Sequence, residues 1–179
     1  MTHDELASRI AERATLRGEF LLRSGQTSNI YFDKYLFESD PQLLLEITRQ
    51  MTALLPPDVD ALAGLEMGGI PIATMLSQHS GIPALFVRKD AKAYGTCKLA
   101  EGGEISGRRL VVIEDVVTSG GQILISTGEL RKLGATIDTV LCVVDREAGG
   151  AEALAAEGLQ LRALVRRSEL EAASAEGGA

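Results

Sequence analysis

Leu110-Val111-Val112-Ile113-Glu114-Asp115-Val116-Val117-Thr118-Ser119-Gly120-Gly121-Gln122 is the stretch from which the rest of the chain can be laid out. Residues 110–113 are apolar and mostly β-branched, the composition of a strand buried on both faces, and they run into two adjacent carboxylates. Small residues from Thr118 to Gly121 follow, and a helical pattern covers 122–133. Strand, acidic pair, small-residue loop and helix start together place a site at the carboxyl end of a parallel strand. The first N–H groups of a helix lack intrahelical partners and sit at its positive end, so a loop without bulky side chains can wrap a phosphate there. Carboxylates about one sugar away accept hydrogen bonds from hydroxyls or from a hydrated metal ion. The pattern implies a ribose 5-phosphate. No Gly-x-x-x-x-Gly-Lys and no Gly-x-Gly-x-x-Gly follows a strand, which excludes a P-loop and a dinucleotide fingerprint.

Around this core, strands and helices alternate. Thr2 and Glu5 have capping-box spacing, and Leu6, Ile10 and Ala14 recur every four residues, predicting an amphipathic helix that ends near Gly18. Residues 19–23 and 30–36 read as extended, joined by the turn-like 24–29, and together they suggest a small N-terminal hood beside the main sheet. Asp40 before Pro41 starts a helix whose apolar stripe, Leu44, Ile47, Met51 and Leu54, ends at Pro56-Pro57. Residues 61–65 form a strand, turned by Gly68-Gly69 into a helix over 70–79, and 84–87 form another strand. Further strands over 137–144 and 159–165 flank a short helix over 151–157. This order predicts an α/β fold with a central, mostly parallel sheet flanked by helices. Residues 88–107 carry Arg88, Lys89, Lys92 and Lys98 among acids and glycines, with almost no apolar periodicity, and predict a mobile lid. Residues 1–170 are expected to form a single domain, and 171–179, made of Ala, Gly, Ser and Glu alone, a disordered tail.

The composition narrows the partners. A hydrophobic share of 45% supports a buried core, and a net charge of −7 disfavours nucleic acid or an anionic membrane, which are bound with surplus Lys and Arg. Any recognition of a polyanionic substrate is therefore local. Cys97 and Cys142 form no Cys-x-x-Cys pair, and with only His3 and His79 beside them no zinc spacing exists, so a reducing cytoplasm fits. The charged N-terminus and the lack of an apolar run of about 18 residues argue against a signal peptide or a membrane span.

Residues 114–121, Glu-Asp-Val-Val-Thr-Ser-Gly-Gly, resemble the phosphoribosyl pyrophosphate motif of the type I phosphoribosyltransferases. From Phe20 to about Arg166 the chain resembles the orotate phosphoribosyltransferases, through further segments in the same order. Phe20-Leu21-Leu22-Arg23-Ser24-Gly25 with Ile30-Tyr31-Phe32-Asp33 is similar to the family's hood, where a basic residue and an aromatic pair flank the base. Gly64-Leu65-Glu66-Met67-Gly68-Gly69-Ile70-Pro71 resembles its pyrophosphate loop, and Arg88-Lys89-Asp90-Ala91-Lys92-Ala93-Tyr94-Gly95 its catalytic loop. Asp145-Arg146 matches the strand-end arginine that pairs with the carboxylate of orotate. Two positions depart from the pattern. Arg23 stands where many members carry lysine, which keeps the charge but changes its geometry. Tyr94 stands where the loop commonly has histidine, so that imidazole's role does not carry over and can pass to Lys92.

The resemblance implies the type I phosphoribosyltransferase fold and transfer of a 5-phosphoribosyl group from phosphoribosyl pyrophosphate to orotate. Catalysis is then expected from Lys92, Lys89, Arg88 and Asp115. The same resemblance assigns phosphoribosyl pyrophosphate to Arg88, Lys89, Lys92, Glu114, Asp115, Val116, Val117, Thr118, Ser119, Gly120, Gly121 and Gln122, with Gly68 and Gly69 on the pyrophosphate. It assigns orotate to Arg146, Thr118, Arg23, Tyr31 and Phe32. It further implies Mg2+ held through substrate and water with no direct protein ligand, and a cytoplasmic homodimer with shared active sites in which Lys92 serves the neighbouring subunit. The chemistry fits: cleavage at the sugar C1 builds positive charge on the ring and negative charge on the pyrophosphate, which carboxylates and lysines respectively stabilise. The alternatives are a purine-base phosphoribosyltransferase and a non-catalytic nucleotide-sensing regulator on the same fold. Val117, at the position where purine-type hypoxanthine enzymes carry aspartate, and Arg146 weigh against the first; the acidic net charge and the intact lysine loop weigh against the second.

Overall fold

Strands and helices are numbered in chain order. The apolar run and the acidic pair form one strand, β6 (Arg109–Val117), which carries both carboxylates within it rather than beyond its end. On one side β6 pairs in parallel with β3 (Ala61–Leu65), and β3 with β4 (Ala84–Val87), beside which the two-residue β5 (Ala100–Glu101) runs antiparallel. On the other side lie β7 (Thr136–Asp145) and β8 (Gln160–Arg166), both parallel. The order β5-β4-β3-β6-β7-β8 means that the chain winds outward from β3 to β4 and then returns to the opposite side of β3. Open α/β sheets bind ligands in the crevice at such a reversal, at the carboxyl ends of the strands. The computed structural model describes residues 1–21, 25–90 and 98–176; Arg23, Lys92 and Tyr94 lie outside the described residues.

Two cores cover the sheet, because successive strand residues point to opposite faces. Val111, Ile113, Leu141 and Val143 pack on one side against α1 (His3–Ala14), α2 (Lys34–Glu38), α3 (Pro41–Met51), α4 (Gly69–Ser80) and α7 (Arg167–Glu176). Leu110, Val112, Val140 and Cys142 pack on the other against α5 (Gly121–Lys132) and α6 (Gly150–Ala156). Full burial of a side chain such as Ile113 contributes roughly 2 kcal/mol, so a one-residue slip of β6 would invert the whole pattern at prohibitive cost. Burial also raises the Cys142 thiol well above its ordinary range, which leaves it inert.

The hood is the antiparallel pair β1 (Thr15–Leu21) and β2 (Thr27–Phe32). Here the structure departs from the sequence reading. α1 stops at Ala14 instead of near Gly18, because the chain turns extended at Thr15, and Asp33 N–H donates to Ala14 O at 2.8 Å to hold the corner. Residues 34–36 are helical rather than extended, since the Asp33 side chain accepts from Tyr35 N–H and caps α2. Within 98–107, Leu99, Ala100 and Ile105 are buried, so this part of the expected lid is fastened to the second core. At its other end Arg88 N–H donates to Leu99 O at 2.9 Å, and residues 91–97 lie outside the described residues. Of the expected tail, residues 171–176 continue α7, which docks through Leu170 on the first core, and residues 177–179 lie outside the described residues.

Candidate active site

The small-residue loop folds as the sequence demands. Gly120 is the N-cap of α5 at φ +75°, a left-handed conformation that disfavours any β-carbon. Side chains of Thr2, Asp33 and Asp40 cap α1, α2 and α3, but none caps α5 at Gly120 or α4 at Gly68. α6, at Gly149, is uncapped too. The amides at the starts of α4 and α5 therefore stay available to an anion at the sheet's carboxyl end. Thr118 and Ser119 are exposed there and Val117 is buried beneath them, its carbonyl accepting from Arg146 N–H at 2.9 Å. Val116 N–H donates to Asp115 Oδ1 at 2.5 Å, and the Gln122 amide donates to Ser126 Oγ at 3.2 Å.

The acidic pair divides into unlike halves. Glu114 remains partly open to solvent, with its Oε1 accepting from Asp115 N–H at 3.1 Å. Asp115 is fully buried, and Lys34 Nζ reaches its Oδ2 at 2.5 Å. Glu38, 8% exposed, approaches the same carboxylate. Gly68 closes this corner: a β-carbon there would overlap the Asp115 carboxylate and stand 2.9 Å from Glu38 Oε1. Burial first, and Asp115 second, push both Glu38 and Glu114 well above the usual carboxylate range. Glu114 thus keeps an accessible edge, whereas Asp115 is engaged by protein partners. Lys34 and Glu38 were missed by the sequence reading; the available signal was Asp33, an N-cap residue that starts a helix where a strand was expected.

Arg88 and Lys89 follow β4, at the same end of the sheet as the acidic pair. Arg88 Nε stands 3.8 Å from Glu101 Oε1, and Lys89 N–H donates to Glu66 Oε1 at 2.5 Å, tying the strand end to the β3–α4 turn. On the β7 side, the half-buried Arg146 guanidinium lies 5.5 Å from the centre of the Phe32 ring. Burial, and then Arg167, lower its pKa, as expected of a cation short of a counter-ion. Phe32, Arg146, Arg17 and Arg167 line a cavity of about 400 Å³ between the hood and α7. Tyr31 stands on the opposite face of β2 from Phe32, packed on Phe20 with ring centroids 5.5 Å apart, so the structure does not join it to Arg146.

No protein-family model matches the chain. The orotate phosphoribosyltransferase of Nocardioides sp. is 54% identical over 172 residues, covering 96% of either chain. The crystal structure of Mycobacterium tuberculosis orotate phosphoribosyltransferase with Fe(III) dicitrate superposes with a TM-score of 0.86 at 34% identity, covering 94% of this chain and 98% of that one. The same enzyme in complex with 5-phospho-alpha-D-ribosyl 1-diphosphate gives 0.82 at 31% identity, with the same coverage. The sheet order, the acidic strand end and the uncapped helix after it are those of a type I phosphoribosyltransferase. Within that class the chain belongs to the orotate phosphoribosyltransferase family.

Proposed function

We propose that the protein transfers the 5-phosphoribosyl group from phosphoribosyl pyrophosphate to orotate, giving orotidine 5'-phosphate and pyrophosphate for pyrimidine synthesis. The carrying observation is Arg146: its backbone is bonded to Val117 at the end of the acidic strand while its guanidinium meets Phe32. A reader for a carboxylate is thereby fixed beside the loop suited to a phosphate. Thr118 and Arg23 complete the orotate side in this reading. The 5-phosphate sits on the amides of the 118–122 loop and Glu114 meets the ribose hydroxyls. Gly68 and Gly69 offer backbone to the pyrophosphate, and Arg88, Lys89 and Lys92 neutralise it as it departs.

Asp115 is engaged by Lys34, and in this reading Mg2+ is carried by substrate oxygens and water, where it would add positive charge on the pyrophosphate when bound. A cytoplasmic homodimer with Lys92 crossing into the neighbour's site belongs to the same reading. Among the described residues no helix is long and apolar enough to cross a membrane. The test is the spectroscopic loss of orotate with phosphoribosyl pyrophosphate and magnesium. Consumption of orotate but not of adenine or hypoxanthine supports the assignment; turnover of a purine alone overturns it.

A further inference from the structure

The carboxyl groups of Glu38, Glu114 and Asp115 share one corner of the protein with the ammonium group of Lys34. Glu38 Oε1 is buried and, among the described residues, has no hydrogen-bond donor in reach, yet its carboxyl lies within hydrogen-bonding distance of Asp115. Two ionised carboxylates in contact away from water repel, so such a pair is stable when one proton lies between them. Lys34, 2.5 Å from Asp115 Oδ2, favours the negative charge on Asp115 and leaves the proton on Glu38. The Gly68 backbone is pressed onto the same two side chains, so that even a β-carbon at this position would overlap Asp115.

We propose that Glu38 is a positioning residue: as a neutral carboxyl it donates a hydrogen bond to Asp115 and, with Lys34, clamps the hood's helix α2, the acidic strand end of β6 and the β3–α4 turn into one unit that receives phosphoribosyl pyrophosphate. The inference rests on the reading of that corner as the phosphoribosyl pyrophosphate site. Burial, with Asp115 next, pushes the Glu38 carboxyl up to about 8, in keeping with a retained proton. The charged groups facing it are Asp115 of β6 and Lys34 and Asp33 of its own helix and cap, and Glu114 stands on the far side of Asp115. The β3–α4 turn brings only the Gly68 backbone to it, and the buried faces of α1 and α3 carry no charged residue.

Glu38→Ala and Glu38→Gln separate this role from simple packing, since glutamine fills the same volume and its amide can still donate to Asp115. Kinetics at saturating orotate should show Glu38→Ala raising the KM for phosphoribosyl pyrophosphate about tenfold, the worth of one buried hydrogen bond to a charged group, with kcat far less affected. The unaltered protein should show a KM that rises between pH 7 and 9, and Glu38→Gln should restore the KM at neutral pH and flatten that rise. The proposal is overturned if glutamine is as damaging as alanine, or if the pH dependence is the same with and without Glu38. The glutamine comparison stands even where the alanine protein does not fold, and titration calorimetry of phosphoribosyl pyrophosphate with magnesium repeats it without turnover. Absence of orotate turnover in the unaltered protein would instead end the functional reading; an active protein indifferent to position 38 ends only this inference.

Discussion

At the scale of single residues, Arg146 and the two glycines of the phosphate loop make the sharpest statements. Arg146→Ala removes the guanidinium that would face the carboxylate of orotate, and loss of such a partner in a desolvated site costs about 2–5 kcal/mol. Orotate affinity should fall accordingly while phosphoribosyl pyrophosphate binding holds; unchanged orotate affinity would show that another group reads the carboxylate. Gly120 and Gly121 look equivalent in sequence but not in space. A β-carbon at Gly120 would stand 3.3 Å from Leu154 on a backbone at φ +75°, whereas at Gly121 the nearest atom is Ser119 Oγ at 3.9 Å. Gly120→Ala should therefore lower stability by roughly 1–2 kcal/mol, the cost of a left-handed non-glycine residue. Gly121→Ala should leave the melting temperature unchanged and raise the KM for phosphoribosyl pyrophosphate. Calorimetry and kinetics on both proteins check this, and equal effects at the two positions would remove the case for a phosphate cradle at the start of α5.

At the scale of elements, the side-chain cap of α3 is a stability device. Asp40 Oδ1 accepts from Gln42 and Leu43 N–H, each at 3.1 Å, and fastens the start of α3, whose inner face carries Leu43, Ile47 and Met51 into the first core. Asp40→Ala should lower stability by about 1 kcal/mol, measured by urea unfolding, and leave both KM values unchanged. A change in KM would mean that the α2–α3 corner also sets the site's geometry.

At the scale of the whole molecule, the buried carboxyls tie stability to pH. Glu38 and Glu114 start from an ordinary value of 4.5 and are raised in the fold to about 8 and about 9. The folded chain therefore binds more protons than the unfolded chain between these limits, so the stabilisation is fully present below about 4.5 and fades as pH rises through 8 to 9. The melting temperature should fall from pH 6 to pH 9, and fall less in Glu38→Gln; a flat profile would place both groups in water. The crossed-loop assembly is tested by mixing inactive Lys92→Ala and Glu114→Gln proteins. If Lys92 serves the neighbour, the hybrid holds one doubly defective and one intact site, and activity reappears on subunit exchange. No recovery would leave the enzyme assignment standing and end the sharing of sites.

The sequence by itself determined the five parallel strands of the main sheet, because β-branched runs and 3.6-residue stripes are local signals that neighbouring side chains state on their own. It also determined the glycine turn that starts α5, since glycine at a helix start has a conformational meaning that needs no partner. The chain's belonging to the orotate family was legible in the same way, through motifs contiguous in sequence. Only the tertiary structure decided how the acidic pair divides: Glu114 and Asp115 are neighbours in sequence, but strand alternation turns Asp115 toward α2 and leaves Glu114 partly open. It decided, too, that Tyr31 and Phe32 part to opposite faces of the hood and that residues 34–38 coil into a helix delivering Lys34 and Glu38. Those contacts join residues some eighty positions apart, and their energy comes from desolvation and from charges meeting across elements. No window of sequence contains both partners of such a meeting.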